Sequence, residues 1–283
     1  MFTKVLLAMD LTPKSEILLP CLYSLCPDTN TEIILTYVFD DEEDADPYSG
    51  SYKKVYSKLQ GYVNELVRNG YESVSIEIRS GEVFEEVTGA GDAQEVDLTL
   101  VASHGKGFFR SALWGSTTFD LARASERPLF VAKTDGESDE IADTELLRKV
   151  MIPTDFSKKS LVALNLIRSL REHVAEVVFV YVVERSRNQD DLESKLQNAE
   201  VRMEELVAEM KLFGIQASYL VDKGAASKKI CRWAEKENVS MIAMTKTGAG
   251  LVKGLVMGAT AQNVTLNSER SLLLLPADEV SND

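Results

Sequence analysis

Cysteine and histidine are both scarce in this chain of 283 residues, which has three of the first and two of the second. The cysteines are sparse and odd in number, which does not indicate a disulfide framework; they are Cys21, Cys26 and Cys231. We therefore expect a reducing compartment, the cytoplasm. With so few histidines and no paired cysteines, a zinc site is not expected.

Long hydrophobic runs are missing as well. No apolar run approaches the ~18 residues that a membrane-spanning helix needs. The N-terminus has neither the basic region nor the small-residue cleavage site of a signal peptide. We therefore expect no membrane span and no secretion signal, in a chain whose 45% apolar and 27% charged residues are ordinary for a globular protein.

Positive charge is in short supply, with 31 Lys and Arg against 45 Asp and Glu and a net charge of −14. This balance argues against nucleic-acid binding, because the sequence has no broad excess of positive charge to offset the phosphates. Most of the excess falls in the segment Asp40–Asp46, with six acids, and in residues 135–143, with five. We interpret both as solvated connections away from any ligand cleft; loose cation binding by Asp40–Asp46 is the alternative, although the calcium-loop spacing is absent.

The chain contains an internal repeat. Lys4–Asp10 recurs as Lys149–Asp155, and four further matches follow in the same order at offsets of 143 to 145 residues. Such self-similarity indicates two copies of one domain of normal size. We predict a first domain at 1–134, an acidic linker at 135–145 and a second domain at 146–283.

Each copy alternates strand and helix patterns. Unbroken aliphatic runs such as residues 4–9 favour strands buried on both faces, and helical patterns separate them, beginning with residues 13–25. This order predicts an α/β fold with a five-stranded parallel sheet in each copy. Ligands in such sheets bind beyond the carboxyl ends of the strands, where strand order reverses.

A glycine-containing loop follows the fourth strand in both copies. Gly105 and Gly115 in the first correspond to Gly248 and Gly258 in the second, and each second glycine opens a helix. Glycines and helix N-termini present backbone N–H groups that cradle phosphates. Ser116, Thr117 and Thr260 either add hydroxyl donors or serve as helix N-caps. Neither loop is a Walker A motif or a dinucleotide fingerprint.

These features together resemble the universal stress protein family: a strand that ends in small-x-Asp, a Tyr-Val end to the second strand, and a G-x-x-G-x₉-G-[S/T] loop. The resemblance covers nearly the whole chain as a tandem pair. It implies a Rossmann-like domain of the adenine nucleotide alpha-hydrolase type that binds ATP or AMP, with Mg²⁺ as a possible companion. The implied contacts are Asp10, Val38, Ala102, Gly105, Gly115, Ser116 and Thr117 in the first copy, and Pro153, Asp155, Val182, Gly248, Gly258, Ala259 and Thr260 in the second.

Both copies depart from the family pattern. Ala102 and Thr245 replace the first glycine of the loop, and Ala259 stands where the family prefers Ser or Thr. Because Thr245 adds a branched side chain, we expect the first copy to be the better phosphate site. Loss of a hydroxyl at Ala259 weakens a site by roughly 1 kcal/mol. Asp10 and Asp155 have two open interpretations, a ligand contact or the N-cap of the next helix.

Three functions remain open. The first is nucleotide binding in stress response or signalling; the others are a nucleotide-independent protein-interaction module and a slow ATPase. Ser103 and His104 are adjacent in sequence, but a catalytic pair also needs a third orienting group. We therefore expect at most slow hydrolysis. The resemblance also implies that the fifth strands, residues 129–133 and 271–275, pair with each other within the chain, and a homodimer is possible.

Overall fold

The computed structural model describes residues 2–103, 116–133, 145–248 and 257–276. Contacts divide the chain into two units, Met1–Ile141 and Ala142–Asp283. Residues 135–144 of the predicted linker lie outside the described residues, so the domain boundaries stay a prediction, as does the pairing of the two fifth strands.

The first unit alternates strands and helices as its sequence predicts. Its five strands are neighbours in the order β3-β2-β1-β4-β5, and every neighbouring pair is parallel. The elements are β1 (Lys4–Ala8), α1 (Pro13–Glu16), α2 (Leu18–Leu25), β2 (Glu32–Phe39), α3 (Gly50–Arg68), β3 (Val74–Ser80), α4 (Val83–Ala93), β4 (Leu98–Ser103), α5 (Ser116–Ala124) and β5 (Leu129–Lys133).

The second unit has the same architecture. Its strands are neighbours in the order β8-β7-β6-β9-β10, again all parallel. The elements are β6 (Lys149–Pro153), α6 (Leu161–Ser169), β7 (Glu176–Val183), α7 (Gln189–Leu212), β8 (Gln216–Lys223), α8 (Ala226–Lys236), β9 (Met241–Thr245), α9 (Ala259–Asn267) and β10 (Ser271–Leu275). The predicted fold class is therefore confirmed in both units.

Burial on both faces explains why the central strands have apolar runs without alternation. Leu6 and Leu7 are successive residues of β1 that point to opposite faces, and both are fully buried. The counterparts Met151 and Ile152 in β6 are buried in the same way. Each buried aliphatic side chain of this size contributes about 1.5–3 kcal/mol relative to exposure.

The helix predicted over residues 13–25 is divided into α1 and α2. Thr12 is the N-cap of α1 and Pro13 its first residue, as expected. The division falls at Ile17, ahead of Pro20. Proline has no N–H, so Glu16 cannot receive the i→i−4 hydrogen bond that a continuous helix would supply.

Strand order places the reversal point of each sheet at its first strand. β1 lies between β2 and β4, and β6 lies between β7 and β9. The chain connections on the two sides of β1 run in opposite directions, and the same holds for β6. This reversal opens a crevice at the carboxyl ends of the strands in each sheet. The strand-end residues of β1, β4, β6 and β9 border these crevices.

Candidate functional site

A cavity of about 500 Å³ lies at the carboxyl ends of β6, β7 and β9 in the second unit. Its volume is within the range of small-molecule sites. All seven second-copy residues that the sequence analysis selected line this cavity. They come from four separate segments of the chain: Pro153 and Asp155, Val182, Gly248, and Gly258, Ala259 and Thr260.

Asp155 forms a local turn directly after β6. Its Oδ1 accepts a hydrogen bond of 2.9 Å from the backbone N–H of Ser157. In the first unit, Oδ1 of Asp10 accepts 2.9 Å and 2.7 Å bonds from the N–H and hydroxyl of Thr12. The N-caps of the following helices are Ser160 and Thr12, so the capping interpretation of the two aspartates is wrong.

Gly248 packs directly on the Asp155 carboxylate. A methyl group at Gly248 would overlap Oδ2 of Asp155, whose Oδ1 is held by Ser157. An alanine here would therefore have to displace the carboxylate, whereas the backbone conformation does not call for glycine, since φ is outside the left-handed region. The contact joins the end of β6 to the loop after β9.

The first turn of α9 points its N–H groups at the cavity. Gly258 is the N-cap, and its own N–H donates to the carbonyl of Lys246 at 2.8 Å. The first hydrogen bond within the helix runs from Gln262 to Gly258, so the N–H groups of residues 259–261 precede it. Thr260 is the second helical residue, which excludes it as the N-cap. This end also carries the positive pole of the helix dipole.

Eleven other residues also line the cavity, and the sequence analysis did not select them as contacts. Lys246, in the loop after β9, is only 2% exposed and brings a cation to the cavity wall. Its counterpart in the first copy is Ser103. A comparison of the two repeats would therefore have drawn attention to Lys246. The other ten are Thr154, Ser160, Val180, Tyr181, Glu184, Ala226, Ile230, Met244, Thr245 and Ala261.

Thr245, whose branched side chain led to the preference for the first copy, is one of the residues that line the cavity. The Thr245 hydroxyl donates to the carbonyl of Thr247 at 3.0 Å, which ties it to the loop. Across the cavity, Glu184 is also engaged, because its Oε1 accepts from the N–H of Ala226 at 2.9 Å at the start of α8.

The first unit has a cavity of about 580 Å³ beside Val38. Asp40, Asp41 and Asp44 line it together with residues of α3, so it is not the counterpart of the second-copy cavity, which α8 and α9 line. The acidic segment connects the carboxyl end of β2 to α3. The pKa of Tyr37 in this cavity is raised. Burial is the largest cause, and the negative charges of Asp40, Asp10 and Asp44 add to it.

The remaining first-copy candidates are only partly described. Ala102 is the second-last residue of β4, and its carbonyl accepts a 3.4 Å hydrogen bond from the hydroxyl of Thr118 in α5. Ser116 and Thr117 are the first two residues of α5. Gly105 and Gly115 lie outside the described residues, as does His104. The preference for the first copy as a phosphate site therefore stays a prediction.

Two further features concern metals and membranes. Among the described residues, no three His, Cys, Asp or Glu side chains come together as a metal site. The six acids of Asp40–Asp46 are exposed, in keeping with a solvated segment. No helix in the described ranges has both the length and the apolar character to cross a membrane.

The sequence and fold match known proteins over nearly the whole chain. The model of the universal stress protein family matches twice, at residues 1–133 and 147–276. Universal stress protein MJ0577 of Methanocaldococcus jannaschii is 23% identical over 154 residues, which cover 46% of this chain and 95% of that protein. A universal stress protein structure from Archaeoglobus fulgidus aligns with a TM-score of 0.68 at 20% identity, covering 97% of this chain and 96% of that one. A Pseudomonas aeruginosa protein of unknown function aligns with a TM-score of 0.70 at 16% identity, covering 98% and 93%.

Proposed function

Because this chain belongs to the universal stress protein family as a tandem pair of its domains, we propose that it binds adenine nucleotides, ATP or AMP, and acts in stress response or signalling. The observation that carries the proposal is the convergence on one cavity of Asp155, the close-packed Gly248 and the first turn of α9. The cavity combines an apolar side, a carboxylate and a row of backbone donors, which suits a base, a sugar and phosphates respectively.

Each part of the ligand has residues that fit it. Val180, Val182 and Ile230 offer an apolar surface for the adenine ring. Asp155 is an acceptor for ribose hydroxyl groups. The N–H groups at the start of α9, together with the helix dipole, would hold phosphate oxygens. When ATP is bound, Mg²⁺ would neutralise part of the phosphate charge.

We propose the second copy as the principal site, in place of the first copy that the sequence pattern favoured. Lys246 lines the second-copy cavity and is buried, and its counterpart in the first copy is the uncharged Ser103. A buried cation acts through a lower effective dielectric and is less screened by salt.

The proposed role is regulated binding, with at most slow hydrolysis of ATP. We further propose a cytoplasmic location and pairing of the two fifth strands within the chain. A homodimer is the alternative way to cover these apolar strands.

Calorimetric titration of the purified chain with ATP, ADP and AMP, with and without Mg²⁺, tests the proposal. The matched variants are Val182→Trp and Val38→Trp. Val182→Trp fills the second-copy cavity, and Val38→Trp makes the same change at the equivalent half-buried position of the first copy. We expect Val182→Trp to remove the tighter binding and Val38→Trp to leave it. No binding of any of the three at millimolar concentration would contradict the proposal and favour a nucleotide-independent interaction module.

A further inference from the structure

The residue after each strand-end aspartate has an unusual backbone. Leu11 and Phe156 occupy equivalent positions of the two copies, and both have φ of 60°. This left-handed conformation is unfavourable for side chains as bulky as leucine and phenylalanine. The two other non-glycine residues of this kind in the described ranges, Glu95 and Asn238, follow the ends of α4 and α8, where such a conformation is common.

The left-handed residue has a defined local effect. It turns the chain so that the N–H two residues beyond the aspartate reaches back to the carboxylate. Ser157 donates to Asp155 at 2.9 Å and Thr12 donates to Asp10 at 2.9 Å. The turn thereby sets the direction of the Asp155 carboxylate against Gly248 and the cavity. Strained backbone of this kind persists only where the surroundings hold it.

A cation from the longest helix of each unit holds this turn. The Nζ of Lys58, on α3, donates to the carbonyl of Leu11 at 2.5 Å. The Nη2 of Arg202, on α7, donates to the carbonyl of Phe156 at 3.3 Å. Lys58 and Arg202 are 144 residues apart, which is within the offsets of the repeat, so the two copies use the same arrangement at equivalent positions.

Arg202 makes a second contact with the same residue. Its guanidinium carbon lies 4.0 Å from the centre of the Phe156 ring. That ring lies 4.7 Å from the ring of Tyr181, which lines the cavity. The guanidinium group, Phe156 and Tyr181 therefore form one stack that runs from the exposed face of α7 to the cavity wall.

From these contacts we infer that Arg202 is a positioning residue for the nucleotide site of the second copy, and Lys58 its counterpart in the first. Arg202 stabilises the left-handed conformation of Phe156, and this conformation keeps the Asp155 carboxylate aimed at the ligand. Arg202 itself does not line the cavity. The identity of the ligand in this inference rests on the proposed function. The role of Arg202 in holding the turn rests on the geometry alone.

The ligand-free protein provides the first test. The amide of Ser157 reports the turn, because it donates to Asp155, and its hydrogen exchange can be followed by NMR. We expect Arg202→Ala to speed this exchange about three- to tenfold, as the loss of one supporting hydrogen bond implies. Arg202→Lys should stay near wild type, since the first copy has lysine at this position. Lys211→Ala removes one positive charge from the same helix at an exposed site and should have no effect.

The second test is the affinity for AMP. Arg202→Ala should weaken binding about three- to tenfold, while Arg202→Lys and Lys211→Ala stay within twofold of wild type. A change in thermal stability without a change in affinity would show a merely structural role and overturn the inference. Because glycine adopts a positive φ without strain, the Arg202→Ala effect should shrink in a Phe156→Gly background.

The two proposals fail in different ways. If the wild-type chain does not bind AMP, the proposed function is overturned, and the exchange of Ser157 still decides whether Arg202 holds the turn. If exchange at Ser157 is the same in Arg202→Ala and wild type, the positioning role is overturned even where AMP binds. Faster exchange with unchanged AMP affinity also contradicts the role.

Discussion

Replacement of Gly248 by alanine gives a direct test of how the second cavity is assembled. The added methyl group would overlap Oδ2 of Asp155, and the backbone at Gly248 needs no left-handed conformation, so the collision with the carboxylate is the main effect. To escape it, Asp155 must rotate and lose its 2.9 Å hydrogen bond from Ser157. A hydrogen bond to a charged group is worth about 1.5–3 kcal/mol.

If Asp155 contacts the ligand, that displacement carries over to affinity. We expect Gly248→Ala to weaken AMP binding about 10- to 100-fold in a calorimetric titration. Circular dichroism would check that the variant folds. Gly61→Ala is the matched control, because a methyl group there meets nothing within 4 Å.

A double-mutant cycle shows whether the effect passes through Asp155. In an Asp155→Ala background there is no carboxylate to displace, so Gly248→Ala should cost less than threefold in affinity. Equal losses in the two backgrounds, or wild-type affinity in Gly248→Ala alone, would refute the reasoning.

Three further predictions concern stability and affinity. Gly61→Ala, at an exposed position within α3, should raise the free energy of unfolding by about 0.5–1 kcal/mol in urea denaturation. Burial alone would raise the pKa of Asp97, but hydrogen bonds from the N–H and hydroxyl of Thr3 and the N–H of Lys4 lower it below the usual value. Asp97 therefore stabilises the fold above its unfolded pKa and less as pH falls through its folded pKa. Asp97→Asn should cost about 1 kcal/mol at pH 7, since solvent screens this partly exposed group, and progressively less as the pH falls below the unfolded pKa. Ala259→Ser adds a hydroxyl at the start of α9 and should tighten AMP binding about fivefold by calorimetry, with unchanged affinity contradicting phosphate contact there.

The fold could be predicted because the strongest sequence signals come from burial. The fully buried strands β5 and β10 have the bounds that their aliphatic runs indicate. Topology then predicted which segments surround the second cavity, since the ends of parallel strands meet at one edge of the sheet. The break between α1 and α2 was missed because Pro20 falls inside an otherwise helical apolar pattern.

The details of the site depended on contacts that sequence patterns do not contain. Whether Asp155 caps a helix or forms a turn is decided by the left-handed conformation of Phe156, which no local preference of phenylalanine favours. Tyr181 and Ile230 reach the cavity through the packing of α8 and Phe156 on the sheet.

The central claim, that the second cavity holds an adenine nucleotide, is tested most directly by a crystal structure of the full chain grown with AMP. We predict density for the base beside Val182, for the ribose at Asp155, and for the phosphate at Gly248 and the first turn of α9. A well-ordered structure at saturating AMP with nothing bound in this cavity, or with AMP bound elsewhere, would contradict the account.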